Sequence, residues 1–207
     1  MKYPSLLFAG IYCGILFISI GIAFTGPAEK SLGVNVRVVY FHGAWVWTAL
    51  AAILLAGGTG FLGLVLGNPT FHRWSKALGH TGLFYWISYL PLSMWAMKTN
   101  WNGLFLAEPR FRVGVIFAIS GILLQAGISL LGASRGSSFA NLIYSAALVI
   151  TLLNTSNVMH PQSPIAESES GRIQGFYYGF VLLILISAGW MSLWWRKLDA
   201  WKDERRT

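Results

Sequence analysis

Charged side chains are scarce in this chain of 207 residues: Asp, Glu, Lys and Arg make up 11%, against 55% for the hydrophobic types. A water-soluble domain carries about 25% charged residues, so this chain lacks the polar surface to cover itself in water. Cysteine is nearly absent as well. Cys13 is the single one, which excludes an intramolecular disulfide framework and a thiolate metal cluster. No Walker A loop, His-Glu-x-x-His or Gly-x-Ser-x-Gly occurs, and the Gly58-Thr59-Gly60-Phe61-Leu62-Gly63 match lies inside an apolar run instead of between a strand and a helix. Acids and bases are also missing from the centres of the apolar runs, which disfavours transport by a charged relay.

What remains is apolar sequence in long stretches. A helix needs ~20 apolar residues to cross ~30 Å of hydrocarbon. Six runs qualify: Tyr3 to Ala28, Val38 to His72, Ala77 to Met97 with a kink expected at Pro91, Val113 to Ser134, Gly136 to about Val158, and Ile173 to Trp195. The first follows Lys2 in the manner of a signal peptide but is longer than a ~7–15-residue signal core, so it reads as a retained helix. Alternating polarity of the barrel type is absent. The expectation is an all-α polytopic membrane protein, with residues 1–207 forming a single domain of six transmembrane helices.

The net charge of +8 does not point to nucleic acid, because Arg196, Lys197, Lys202, Arg205 and Arg206 crowd the tail directly after an apolar run, as a membrane-edge anchor does. Alternate connections place nine Lys and Arg on the side of both termini and six on the other, where Glu29, Glu108, Glu167 and Glu169 also fall. By the positive-inside rule both termini are expected in the cytoplasm. The connections on the cytoplasmic side, Asn68 to Lys76 and Ser134 to Ser137, read as short turns. The outer ones, Gly26 to Arg37, Lys98 to Arg112 and Met159 to Arg172, are richer and are where function is expected.

The four histidines sort into two pairs. His42, in Val39-Tyr40-Phe41-His42-Gly43-Ala44-Trp45-Val46-Trp47, opens the second helix, and His160 closes the fifth at the same outer level. Two neutral imidazoles on separate helices can clamp a metal, or the iron of a haem, from opposite faces. Trp45, Trp47, Trp101 and Phe105 offer apolar walls; Arg37, Arg110 or Arg172 offer cations for propionates. The residues alone leave a plainer role open, in which each histidine hydrogen-bonds at the lipid boundary. His72 and His80 flank Arg73 and Lys76 in what reads as a solvated basic loop. Gly57, Gly58, Gly60, Gly63 and Gly67 make the second helix the candidate for close helix contact, with a partner or inside the bundle.

The segment Arg37 to Trp47 resembles the Tyr-Phe/Leu-His stretch that opens the second helix in the cytochrome c assembly membrane proteins of the haem exporter protein C (CcmC/CcsA-like) type. Asn157-Val158-Met159-His160-Pro161 is similar to that family's second outer histidine segment, and Trp101-Asn102-Gly103 with Glu108-Pro109-Arg110-Phe111-Arg112 to its tryptophan-rich outer loop. The loop is reduced here to Trp101 and Gly103, Glu108 stands for an aspartate, and polar residues from Ser163 to Ser170 replace an aromatic segment. The resemblance implies haem b held by His42 and His160 near the outer face of a bacterial inner membrane, with Trp45, Trp101, Glu108, Arg110 and Arg37 around it. It implies cofactor handling without catalysis, and lipid plus a membrane protein or outer haem acceptor as partners. The reduced loop suits an alternative: a divergent subunit anchoring a membrane redox complex, with a fixed b-type haem or none. A haem-free transporter or scaffold is a third reading.

Overall fold

A computed structural model describes residues 6–131, 134–156, 158 and 164–204. They form six helices: α1 Leu6–Thr25, α2 Val36–Leu66, α3 Pro69–Trp101, α4 Pro109–Leu131, α5 Ser134–Leu153 and α6 Gly171–Glu204. Helices are the economical solution for a chain in lipid, since every internal backbone group is satisfied within the segment. The chain is an all-α polytopic membrane protein. All the helices except α3 are long and apolar enough to cross a bilayer by composition. Helix α3, with 33 residues and a length of about 50 Å, is long enough but carries His72, Arg73, Lys76, His80, Lys98 and Asn100. Pro91 lies within it on an exposed face, and the helix continues through it.

The sequence between α2 and α3 departs from expectation. Gly67 takes the left-handed conformation, with φ of +63°, and closes α2. The Oδ1 of Asn68 accepts the Thr70 amide at 2.9 Å and Pro69 occupies the first turn of α3. The stop signal is therefore also a start signal. Residues 69–76 are helical, and His72 is buried with its Nδ1 2.7 Å from Ser138 Oγ on α5, so the solvated basic loop is not there. Helix α5 also ends earlier than expected, at Leu153. The side chains of Asn154 and Thr155 turn back to the carbonyls of Ile150 and Thr151, at 2.7 and 2.6 Å, in the manner that lets such residues compete with helical bonding.

Helices α2 and α3 form the central pair, with α5 in one groove and α6 in the opposite one; α1 flanks α2 and α6, and α4 flanks α3 and α5. Small residues bring the centre together. A methyl group on Gly60 would lie 2.6 Å from the Ser138 carbonyl oxygen, and one on Gly63 2.7 Å from His72 Nδ1. These α2 glycines thus serve internal packing. Beside them Asn141 donates to Ser75 O and Oγ at 2.9 and 3.1 Å and accepts from Gln125 Nε2 at 2.9 Å, while Ser75 donates to Ala56 O at 2.8 Å. At the tail end Lys76 pairs with Asp199 at 2.9 Å and Arg196 stacks over Trp74 at 4.3 Å. Outward faces carry Leu, Ile and Phe, as lipid contact requires.

Candidate functional site

At the end opposite the tail, the bundle opens. Several turns of α2 and α3 carry bulky side chains toward each other: His42, Val46 and Leu50 from α2, and Trp86, Tyr89, Ser93, Met97 and Asn100 from α3. Their spacing of three and four residues on each helix puts them on one face. Between them lies a cavity of about 460 Å³, completed by Arg110 and Phe111 of α4, Leu152 of α5, Tyr177 of α6, and Leu32, Pro164 and Ile165 from the connections. That volume lies in the range of small-molecule and cofactor sites, ~300–1,000 Å³. Along α3 the lining runs from Trp86 to Asn100, about 21 Å.

The walls are aromatic and held in place. Trp86 donates its indole N–H to Gly114 O at 3.1 Å, and its ring meets Tyr89 edge-on at 4.9 Å. Tyr89 in turn lies 6.1 Å from the His42 ring. His42 is half-buried, in the second turn of α2, and lines the cavity. Trp101 and Phe105 meet at 6.0 Å, with Trp101 on the lining. Trp47 and Tyr177 both line this side of the cavity, and Gly43 must lack a side chain here because a Cβ would approach the Tyr177 hydroxyl to 2.7 Å.

The polar groups in the cavity are few. Arg110 is half-buried, its Nε is enclosed, and among the described residues it has neither a hydrogen bond nor an ion pair. An enclosed guanidinium nitrogen with no acceptor among the described residues suits an anionic group supplied from outside the chain. Asn100 donates to Ala96 O and Thr99 Oγ1, both at 3.1 Å, and its Oδ1 is buried without a partner among the described residues. Arg112, two residues on, is exposed at the helix rim.

Of the residues singled out in the sequence, His42, Trp101 and Arg110 line the cavity together, and Trp47 stands at its edge. Trp45, Arg37 and Glu108 do not line it. Trp45 is buried elsewhere, donating to Ser88 Oγ at 2.8 Å and packing 4.7 Å from Tyr85. Arg37 donates Nε to Gly26 O at 3.0 Å and ties the α1–α2 connection to α2. Glu108, 3% exposed, accepts the Phe111 amide at 2.6 Å and caps α4 ahead of Pro109. His160 lies outside the described residues, as do Asn157 and Gln162; Leu152 and Pro164, on either side of that stretch, both line the cavity. Among the described residues no three His, Cys, Asp or Glu side chains group as a metal site. Trp86, Tyr89, Ser93, Met97 and Asn100 were not distinguishable by residue type; their signal is the shared face of α3, where Ser93 and Asn100 interrupt an aromatic stripe.

No family model and no curated protein matches this chain. The reading of the site therefore rests on its geometry.

The residues present suit haem. A flat apolar macrocycle needs aromatic walls, its iron needs an imidazole, and its propionates need a cation. Trp86, Tyr89 and Trp101, with the apolar Met97 beside them, meet the first need, His42 the second and Arg110, without a partner among the described residues, the third.

Proposed function

We propose that this chain is a haem-handling protein of a bacterial inner membrane, in the manner of the cytochrome c assembly proteins it resembles, with both termini in the cytoplasm. The observation that carries the reading is one cavity in which His42 and Arg110, the latter without a partner among the described residues, share aromatic walls. His42 would hold the iron through an imidazole nitrogen, with His160 proposed as the second ligand, since both flanks of its segment border the same space. Arg110 would pair with a carboxylate of the group in a charge-assisted bond. Trp86, Tyr89 and Met97 exclude water from its apolar body. Haem b supplies a ligand-sensitive, one-electron iron centre; the protein's own part is to bind, orient and release or retain it, without catalysis. An outer haem acceptor or a membrane protein is the corresponding partner.

Retention as a fixed b-type haem in an anchoring subunit is the second reading. It is favoured by the Trp86 hydrogen bond to Gly114, which fastens one wall of the cavity to the bundle. Titrating haem b into the detergent-purified protein tests the proposal. One equivalent bound with a sharp Soret band and split visible bands on reduction is expected, and no stoichiometric uptake overturns it. Adding an apocytochrome c acceptor then separates transfer from retention.

A further inference from the structure

On one side the lining of the cavity reaches the surface of the bundle: Trp47 lines the cavity and is also 59% exposed, lying on the same stripe of α2 as Leu54, Phe61 and Val65, which are 48%, 51% and 64% exposed. Their spacing of seven, seven and four residues keeps them on one helix face. No other helix covers this stripe, because α5 and α6 sit in opposite grooves of the central pair and no Cα of one comes within 8 Å of the other among the described residues. Trp47 stands about 16 Å along α2 from Val36, at the start of an uncharged stretch that runs on to Leu66 for about 29 Å, the length that crosses the hydrocarbon layer. The side of the cavity that Trp47 covers therefore opens onto the apolar, lipid-facing stripe.

We infer that the cavity is loaded sideways from the bilayer, through a mouth closed by the Trp47 indole beside Tyr177, and that its ligand is a bilayer-dissolved amphiphile whose anionic end reaches Arg110. A water-borne ligand has no reason to meet a mouth on a lipid-facing stripe, whereas an amphiphile in the leaflet is concentrated there. Its apolar body passes Val46 and Leu50 and lies along Trp86, Tyr89 and Met97. Arg110, near the start of α4, receives the charge at the end of the cavity where α4 begins. Trp47 can swing outward into lipid, since that side of it has no protein neighbour to displace. The Gly43 gap seats the Tyr177 hydroxyl against α2 and sets where the closure forms. This route does not depend on the ligand being haem.

The test uses a long-chain fatty acid carrying a mid-chain diazirine, dissolved in phosphatidylcholine vesicles that contain the full chain, with adducts mapped by peptide mass spectrometry. Adducts on Val46, Leu50 and Met97 are expected in addition to those on the lipid-facing Leu54 and Phe61. Trp47→Ala should raise the cavity adducts, and Arg110→Gln should lower them about tenfold, the loss that one charge-assisted bond implies. Adducts on Leu54 and Phe61 should stay constant, which reports correct insertion of each variant. A water-soluble anionic diazirine should leave the cavity unlabelled. The inference is overturned if the fatty acid labels Leu54 and Phe61 but not the cavity, if Trp47→Ala changes nothing, or if the water-soluble reagent labels Val46 and Met97 equally well. Haem titration reports separately on the identity of the ligand, so either result can fail without the other.

Discussion

Around Gly60, α2 lies against α3 and α5 so closely that a methyl group has no room, and the polar groups of Ser75, Asn141 and Gln125 spend their hydrogen bonds on one another. A few turns away, toward the start of α2, the same two helices face each other with Trp86, Tyr89, Met97 and His42, and enclose a cavity instead of closing it. Nothing in the backbone geometry requires the difference. Small side chains draw the helices together, and large rings braced by hydrogen bonds keep them apart. The closed half fixes the helix register, and the open half inherits that register as a shaped wall. Arg110, without a partner among the described residues, has a place in the second half that it would not have in the first.

The heaviest blow to this contrast is a large residue in the closed half. Gly60→Leu, forced against the Ser138 carbonyl, should cost about 3 kcal/mol and lower the thermal unfolding midpoint in detergent, since overpacking of a tight interface is relieved only by moving backbone. A midpoint equal to that of the unaltered protein would show that α2 and α5 are not in contact there. Next in size is Arg110→Gln. It should weaken haem binding by ~2 kcal/mol, roughly 30-fold, yet leave the unfolding midpoint unchanged or raised, because it removes a cation that no described residue pairs with. Equal losses of affinity and stability would make Arg110 a structural residue. Asn141→Leu should cost about 1 kcal/mol of stability, the worth of buried polar contacts between membrane helices, and leave the haem spectrum intact. Coupled loss of the spectrum would merge the two halves into one unit.

The smallest effect concerns the loop over the open end. Slight desolvation acts to raise the pKa of the Glu29 carboxyl, but the hydrogen bonds from the Ser31 hydroxyl and the Ser31 and Leu32 amides outweigh it and hold the group below the ordinary glutamate range. A carboxyl depressed in the folded state contributes stability that is complete above the unfolded pKa and is lost as pH falls through the folded one. Hydrogen exchange at the Ser31 and Leu32 amides should therefore quicken, relative to the intrinsic rate, only at acid pH below the usual carboxylate range. Unchanged protection in Glu29→Gln would show that the carboxylate does not hold the turn.

The helices are legible in the sequence because charge-free runs of membrane length have few other fates. Their ends are less so. Gly67-Asn68-Pro69 reads as a stop, but the same Asn and Pro cap and open α3, which converts an expected loop into two helical turns and takes His72 out of solvent. At the site, His42, Trp101 and Arg110 are recognisable by type and position in the chain. Trp45 illustrates the limit: three residues beyond His42 it shares roughly the same helix face, yet its ring packs on Tyr85 and its indole donates to Ser88, which takes it out of the cavity lining. Glu108 looks chemical in sequence and is a helix cap in space. Burial of the α3 face is a tertiary fact, and no property of Trp86 or Asn100 taken singly announces it.

The central claim is that His42, in the open half, places its imidazole on the iron of a bound haem. The direct measurement is the visible and electron paramagnetic resonance spectrum of haem-loaded protein, comparing His42→Ala and His160→Ala with His72→Ala. Loss of a six-coordinate low-spin centre in the first two and an unaltered spectrum in the third is the predicted result. Full haem content with an unaltered spectrum in His42→Ala would contradict the account.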